Sequence, residues 1–219
     1  TLPVSLHGQG FATQSVSENL AESYPVPSGN RYNIGLLHTN LGDREGHGNY
    51  APSSLPQLVA HGYDYWALGH IHIREIHHEN PHVVYSGNTQ GRHVKETGPK
   101  GCYLVTVDDD LNTSKCDFIE LDSVRWENAR VDCSEMGSEH ELLDAIRAQL
   151  NESLAKAHGR LVAIRLTLIG HTDLHELLHA EHSRLRAECQ NIALDIDAEL
   201  IWIEDVRLKT RTLINPKEL

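Results

Sequence analysis

"DYWALGHIHIRE", residues 64–75, decides how the first half of the chain is read. Tyr65, Trp66, Ala67 and Leu68 form a short apolar run of strand character. Gly69 follows, where a turn that a Cβ would resist becomes possible. His70 and His72, two residues apart, project to the same side of a chain that stays extended. Two imidazoles aimed at one space make half of a metal site. The rival reading is two exposed loop histidines. It has weight because 16 of the 219 residues are histidine.

Working outward, "YNIGLLH", 32–38, reads as an apolar strand ending on His38. A loop rich in Gly, Asp and Asn runs from there to Tyr50. "SSLPQLVAHG", 53–62, predicts a short helix. A serine can cap it, Leu55, Leu58 and Val59 share a face, and Gly62 stands at the C-terminal position. "IREIHHENPHVVYSGN" predicts a hairpin turning at Glu79-Asn80-Pro81. "GCYLVTVDDDLNTSKCDFIEL" predicts another, turning through 108–112.

The pattern changes near Asp122, where we place a boundary between 1–121 and 122–219. "VRWENARVD", 124–132, is strand-like. Ser138 and Glu141 form a capping box, and Leu142, Leu143, Ile146, Leu150 and Leu154 fall on one helical face. "RLVAIRLTL" alternates as a half-buried strand does. A second helix spans about 172–193, and "LIWIEDVRLKT" closes with a strand. The predicted class is α+β: a strand-rich first part with one helix, then a small α/β unit.

Composition narrows the function classes. Hydrophobic content is 39% and charged content 23%, as in globular domains. No apolar run approaches the roughly 18 residues of a membrane span, so no membrane association is expected. Net charge is −12, against a broadly basic nucleic-acid coat but compatible with a phosphate substrate held through cations. Cys102, Cys116, Cys133 and Cys189 are widely spaced, without a C-x-x-C pair. They read as reduced thiols of a cytoplasmic protein. The first residue is Thr, and no basic start with a long apolar stretch follows it. The chain is expected to be processed, or a piece of something longer.

If the strands that end near His38 and His70 are neighbours, three imidazoles gather at one sheet edge. Imidazole suits Mn, Fe or Zn, and carboxylates are needed to hold two ions together. "NIGLLHTNLGDREGHGNYAP", "GYDYWALGHIHIRE" and "VVYSGNTQGRHVKETGPKGCYLVTVD", taken in order, resemble the calcineurin-like metallophosphoesterases, and within them the SbcD-like DNA repair exonucleases. The resemblance implies that 1–121 is the C-terminal half of a calcineurin-like β-sandwich phosphoesterase domain. It implies that 122–219 is a capping domain of DNA-binding type. His38, His70 and His72 match metal-ligating positions for a pair of divalent ions, manganese foremost, with iron or zinc as alternatives. Upstream of His38, where the resemblance expects them, the Asp-x-His, Gly-Asp-x-x-Asp and Gly-Asn-His motifs are absent from this sequence. The resemblance therefore implies catalytic residues upstream of Thr1 and an inactive chain on its own. It also implies DNA as substrate, a coiled-coil ATPase of SMC type as partner and possible homodimerisation.

Two further readings compete. A non-catalytic module binding DNA or an ATPase partner is the first. "HELLH", 175–179, fits the H-E-x-x-H zinc-protease pattern, but chance alone supplies about one such histidine pair in a chain this rich in His. We expect an exposed polar helix face there, with Leu174, Leu177, Leu178 and Leu185 turned to the sheet. "GRHVKETGPKG", 91–101, is the most basic local stretch, and Arg92, Lys95 and Lys100 are candidate phosphate contacts. His7 is a further candidate near the imidazoles. Trp66, Trp126 and Trp202 are expected in the core.

Overall fold

The apolar runs at 32–38 and 64–69 become neighbouring parallel strands, and the first half of the protein is built around them. The computed structural model describes residues 2–13, 16–42 and 50–213. Contacts divide the chain into two units, Thr1–Thr89 with Lys100–Leu121, and Gln90–Pro99 with Asp122–Leu219.

Unit 1 contains β1 (Val4–Gly8), β2 (Tyr32–His38), α1 (Leu55–His61), β3 (Tyr65–Gly69), β4 (Glu75–Glu79), β5 (His82–Tyr85), β6 (Gly101–Val107) and β7 (Thr113–Glu120). Five strands form one sheet in the order β1-β2-β3-β5-β4, parallel except for β4. Helix α1 carries the predicted cap: the Ser54 side chain accepts from the Gln57 N–H, the Gln57 side chain returns to the Ser54 N–H, and Gly62 takes φ +85°. That reciprocal pair satisfies two backbone donors the helix leaves open. On the helix side, Leu37, Leu58, Tyr63, Trp66 and Leu68 make one core. On the other side, the β6–β7 hairpin covers Tyr32, Tyr65 and Val84 with Tyr103, Val105 and Val107. Trp66 is fully buried, stacks on Tyr63 and donates to the Leu58 carbonyl at 3.0 Å. Strand β1 had no counterpart in the sequence reading. Its burial alternates only between exposed and half-buried positions, as an edge strand allows.

Unit 2 contains β8 (Val124–Asp132), α2 (Glu139–Lys156), β9 (Leu161–His171), α3 (His175–Ala180), α4 (His182–Asp197) and β10 (Ile201–Arg211). The three strands run parallel in the order β10-β9-β8. Val162, Ile164, Leu166 and Leu168 point into a core shared with Leu142, Ile146 and Leu150 of α2 and Leu185, Cys189 and Ile192 of α4. Side-chain alternation along β9 and the helical spacing in α2 thus meet as predicted. The capping box is offset. Ser138 accepts from the Glu141 N–H, but the Glu141 carboxylate takes the Gly137 N–H at 2.7 Å.

Three expectations are corrected here. The helix expected over 172–193 is two helices, α3 and α4, separated at Glu181 with φ −107° and ψ 26°. No Gly or Pro marks that break. Leu174, Leu178 and Leu185 pack inward, whereas Leu177 is 41% exposed. Trp202 is not a core residue: it is 52% exposed, on the face of the sheet away from the helices, with Trp126 beside it at 6.1 Å.

Burial pushes the Cys133 thiol up to about 11 and the Cys189 thiol up to about 12. Both residues are fully buried, whereas Cys102 and Cys116 are half-buried. Thiolate is the reactive form. In a disulfide-exchange assay on the native protein at pH 8, Cys102 and Cys116 are expected to react first. Cys133 and Cys189 should react only as fast as unit 2 opens. Rapid modification of all four would contradict this packing.

Candidate metal centre

The register of β2 against β3 places His38 opposite Gly69 at the C-terminal ends of both strands. A Cβ at Gly69 would sit 3.0 Å from His38 Nδ1, so the glycine makes room for the imidazole beside the neighbouring strand. His70 follows at once with φ +104°, a conformation that L side chains rarely adopt. Such strain persists only where the surroundings hold it, and it concentrates at functional sites. The chain then leaves the strand, so His70 and His72 lie in a bend, not on an extended segment as the sequence reading assumed.

The Ser86-Gly87-Asn88 stretch holds this bend from behind. Asn88 N–H donates to the His72 carbonyl at 3.3 Å. Gly87 has φ +73°, and a Cβ there would stand 2.8 Å from the same carbonyl oxygen. The segment after His38 is anchored by buried polar groups. Thr39 hydroxyl donates to the Ala51 carbonyl at 2.7 Å, and Tyr85 hydroxyl donates to the Thr39 carbonyl at 2.8 Å. Tyr85 hydroxyl also accepts from the Leu41 N–H at 3.1 Å. Buried hydroxyls need such partners, and these partners fix the backbone that carries His38.

The His38 and His70 rings are 5.2 Å apart, centroid to centroid, at 66°. Phe11 meets His38 edge-on at 5.5 Å, and Tyr50 meets His70 edge-on at 5.2 Å. Partial burial pushes the His38 imidazole below the usual histidine range, and nearby His72 acts in the same direction. A neutral imidazole is the ligand form. The donor chemistry fits part of a divalent-ion centre: imidazole nitrogens whose backbone is held. Among the described residues these imidazoles do not close into a group of three that holds a metal by itself.

The other candidates fall elsewhere. His7 stacks on Tyr63 at 5.1 Å. Arg92 and Lys95 belong to unit 2. Arg92 pairs with Glu96 at 3.6 Å, and Lys95 lines a cleft with Arg130 and Lys209. Lys100 is buried. In the HELLH segment the His175 and His179 rings lie 4.4 Å apart, and again no third ligand joins them among the described residues. His175 instead bonds Thr210 Oγ1 at 3.0 Å, and His182 Nε2 donates to the Val206 carbonyl of β10 at 2.9 Å. These histidines tie the helices to β10, which the reading of a merely exposed face had missed. Phe11 and Tyr50 carried no motif, since a single aromatic in a loop has no periodicity to betray it.

Residues 126–211 match the family model of the metallophosphoesterase YhaO middle domain. At the level of single proteins, the chain is similar to the uncharacterized metallophosphoesterase YhaO of Bacillus subtilis (strain 168). The two are 39% identical over 167 residues, which is 76% of this chain and 40% of that protein. The chain therefore spans about two fifths of the length of that relative. Both similarities support a metallophosphoesterase.

Proposed function

We propose that the chain contributes the imidazole part of a two-metal phosphoesterase centre, with DNA phosphodiesters as the substrate class. The observation that carries this is the His38–His70 pair, set side by side where two parallel strands end and supported by a strained backbone at His70. His38 and His70, with His72, would hold the ions, manganese in our reading. A bound pair of divalent ions supplies Lewis acidity and a nucleophilic hydroxide. The residues of this chain orient the ligands: Gly69 admits His38, and Gly87 with Asn88 holds the His72 backbone. Carboxylates must come from outside the residues described here, because imidazoles alone leave the ions' charge uncompensated. An SMC-type ATPase partner, homodimerisation and a cytoplasmic location belong to the same proposal. Among the described residues no helix is long and apolar enough to cross a membrane.

The test is hydrolysis of bis-p-nitrophenyl phosphate and of linear DNA, with manganese, by a chimera in which this chain replaces the matching segment of its relative. Activity is expected, and His70→Ala should remove it while leaving the circular dichroism unchanged. Undiminished turnover by His70→Ala would place the metal centre elsewhere.

A further inference from the structure

The helices cover one face of the β8–β9–β10 sheet. The register sets out what the other face carries. Arg130, Thr167 and Arg207 lie in one row across the three strands, and Asn128, Arg165 and Asp205 lie in the next. Asp132, Ile169 and Lys209 follow toward the C-terminal end, the Asp132 carboxylate taken up by the Ser134 N–H and hydroxyl. Lys95, from the Gln90–Pro99 segment of the same unit, lines the same hollow. That segment is fastened to β8: Trp126 Nε1 donates to the Gly91 carbonyl at 3.0 Å, and Asn128 Nδ2 donates to the Val94 carbonyl at 2.9 Å. The result is a cleft of about 410 Å³ lined by five cations and no carboxylate.

The cations differ in how they are held. A bulge between Ile203 and Asp205 breaks the strict alternation of β10. Arg165 is engaged by Glu204, Nε to Oε2 at 2.7 Å. Asp205 takes Arg207 Nε at 2.9 Å and stands 3.8 Å from Arg186. These pairs hold the Arg165 and Arg207 guanidinium groups in place. Lys95, Arg130 and Lys209 have no ion-pair partner among the described residues, and all three are exposed. Three uncompensated cations gathered in one hollow stand out on a chain of net charge −12.

We propose that this hollow is a binding site for a ligand carrying two or more adjacent phosphates. A single carboxylate brings one negative charge, too few to balance three free cations. Adjacent phosphates bring several charges and enough acceptor oxygens for ammonium and guanidinium donors together. The Thr167 hydroxyl adds a neutral donor in the middle row. The site lies within unit 2 and needs no metal, so it stands or falls independently of phosphoester hydrolysis at the imidazoles. The adjacent phosphates are those of a free oligophosphate or of a nucleic-acid strand, and the two sources separate in the test.

The probe is inorganic triphosphate, titrated calorimetrically into the 219-residue chain at low salt with a chelator present. Saturable binding at one site is expected. Arg130→Gln with Lys209→Gln should weaken it about tenfold or more for each cation removed. Arg147→Gln with Arg184→Gln, the same change of net charge on the helices, should leave it unaltered. His70→Ala should also leave it unaltered, which separates this site from the metal centre. A fluorescent oligothymidylate forms the second arm. If it competes with triphosphate and the double variant lowers its salt slope by about 1.4, the phosphates are those of a strand. If triphosphate binds and the oligonucleotide does not, the ligand is a free oligophosphate. No triphosphate binding, equal loss in both double variants, or preference for polyglutamate over triphosphate would overturn the proposal.

Discussion

The 219-residue chain, purified and supplied with manganese, is expected to bind at most one divalent ion, weakly, and to show no appreciable phosphodiesterase turnover. The reason is charge. His38, His70 and His72 are neutral as ligands, so a first dication keeps its full charge. A unit charge pair at 4 Å in an effective dielectric near 20 interacts by about 4 kcal/mol, so two dications repel by roughly 16 kcal/mol. Carboxylates normally offset that repulsion and bridge the ions. Isothermal titration with manganese reads the stoichiometry, and chromogenic phosphodiester hydrolysis reads the rate. Two ions bound per chain, or turnover that vanishes in His70→Ala of this chain, would show that the imidazoles suffice. Weak binding should also fade on acidification. Burial and His72 hold the His38 pKa below its unfolded value, so the folded form stays neutral at pH values where the unfolded form has begun to gain a proton. The folded state's advantage from neutral His38 is therefore largest well above the unfolded pKa. It falls as the pH drops through that pKa toward the lower folded one.

Asp122→Ala is expected to destabilise unit 2 by about 3–5 kcal/mol, as loss of one partner from a buried ion pair does. The Asp122 side chain is fully buried and accepts from Arg125 Nε and Nη2, each at 3.0 Å. Arg160 Nε donates to the Asp122 carbonyl at 2.8 Å. Arg125 is itself only 5% exposed, so the substitution leaves a guanidinium inside unit 2 without its carboxylate. Urea unfolding followed through Trp126 and Trp202 measures the loss. A cost below about 1 kcal/mol would mean that desolvation nearly cancels the pairing. Replacing both residues by apolar ones of similar volume should recover much of the stability, because the desolvation penalty disappears with the charges.

Elements that close on local chemistry were readable in the sequence. Strands β2 and β8 begin and end where their apolar runs do, and the Ser54 and Gly62 caps of α1 are local signals. That the His38 and His70 rings come within 5.2 Å follows from β2 and β3 being neighbours, each ending at or just before its histidine. What was not readable depends on partners far along the chain. Strand β1 exists only because β2 lies beside it. Asp122 was read as a boundary between patterns, whereas the contacts put Gln90–Pro99 with the second unit, and the burial of Asp122 follows from Arg125 and Arg160 folding onto it. The break at Glu181 has no Gly or Pro to announce it. The cationic hollow needs three strands in register before Lys95, Arg130 and Lys209 become neighbours. Of these, only Lys95 sat in a stretch basic enough to attract notice.

Position 70 sets the demands of the fold against those of the proposed metal centre. Glycine would adopt φ +104° without penalty, whereas a histidine there carries strain on the order of 1–3 kcal/mol. A laboratory selection for heat resistance alone would therefore drift toward His70→Gly and improve the protein by its own criterion while erasing a ligand of the proposed metal centre. Engineering this chain for durability has to keep metal binding among the selected traits, because the backbone by itself votes against the imidazole.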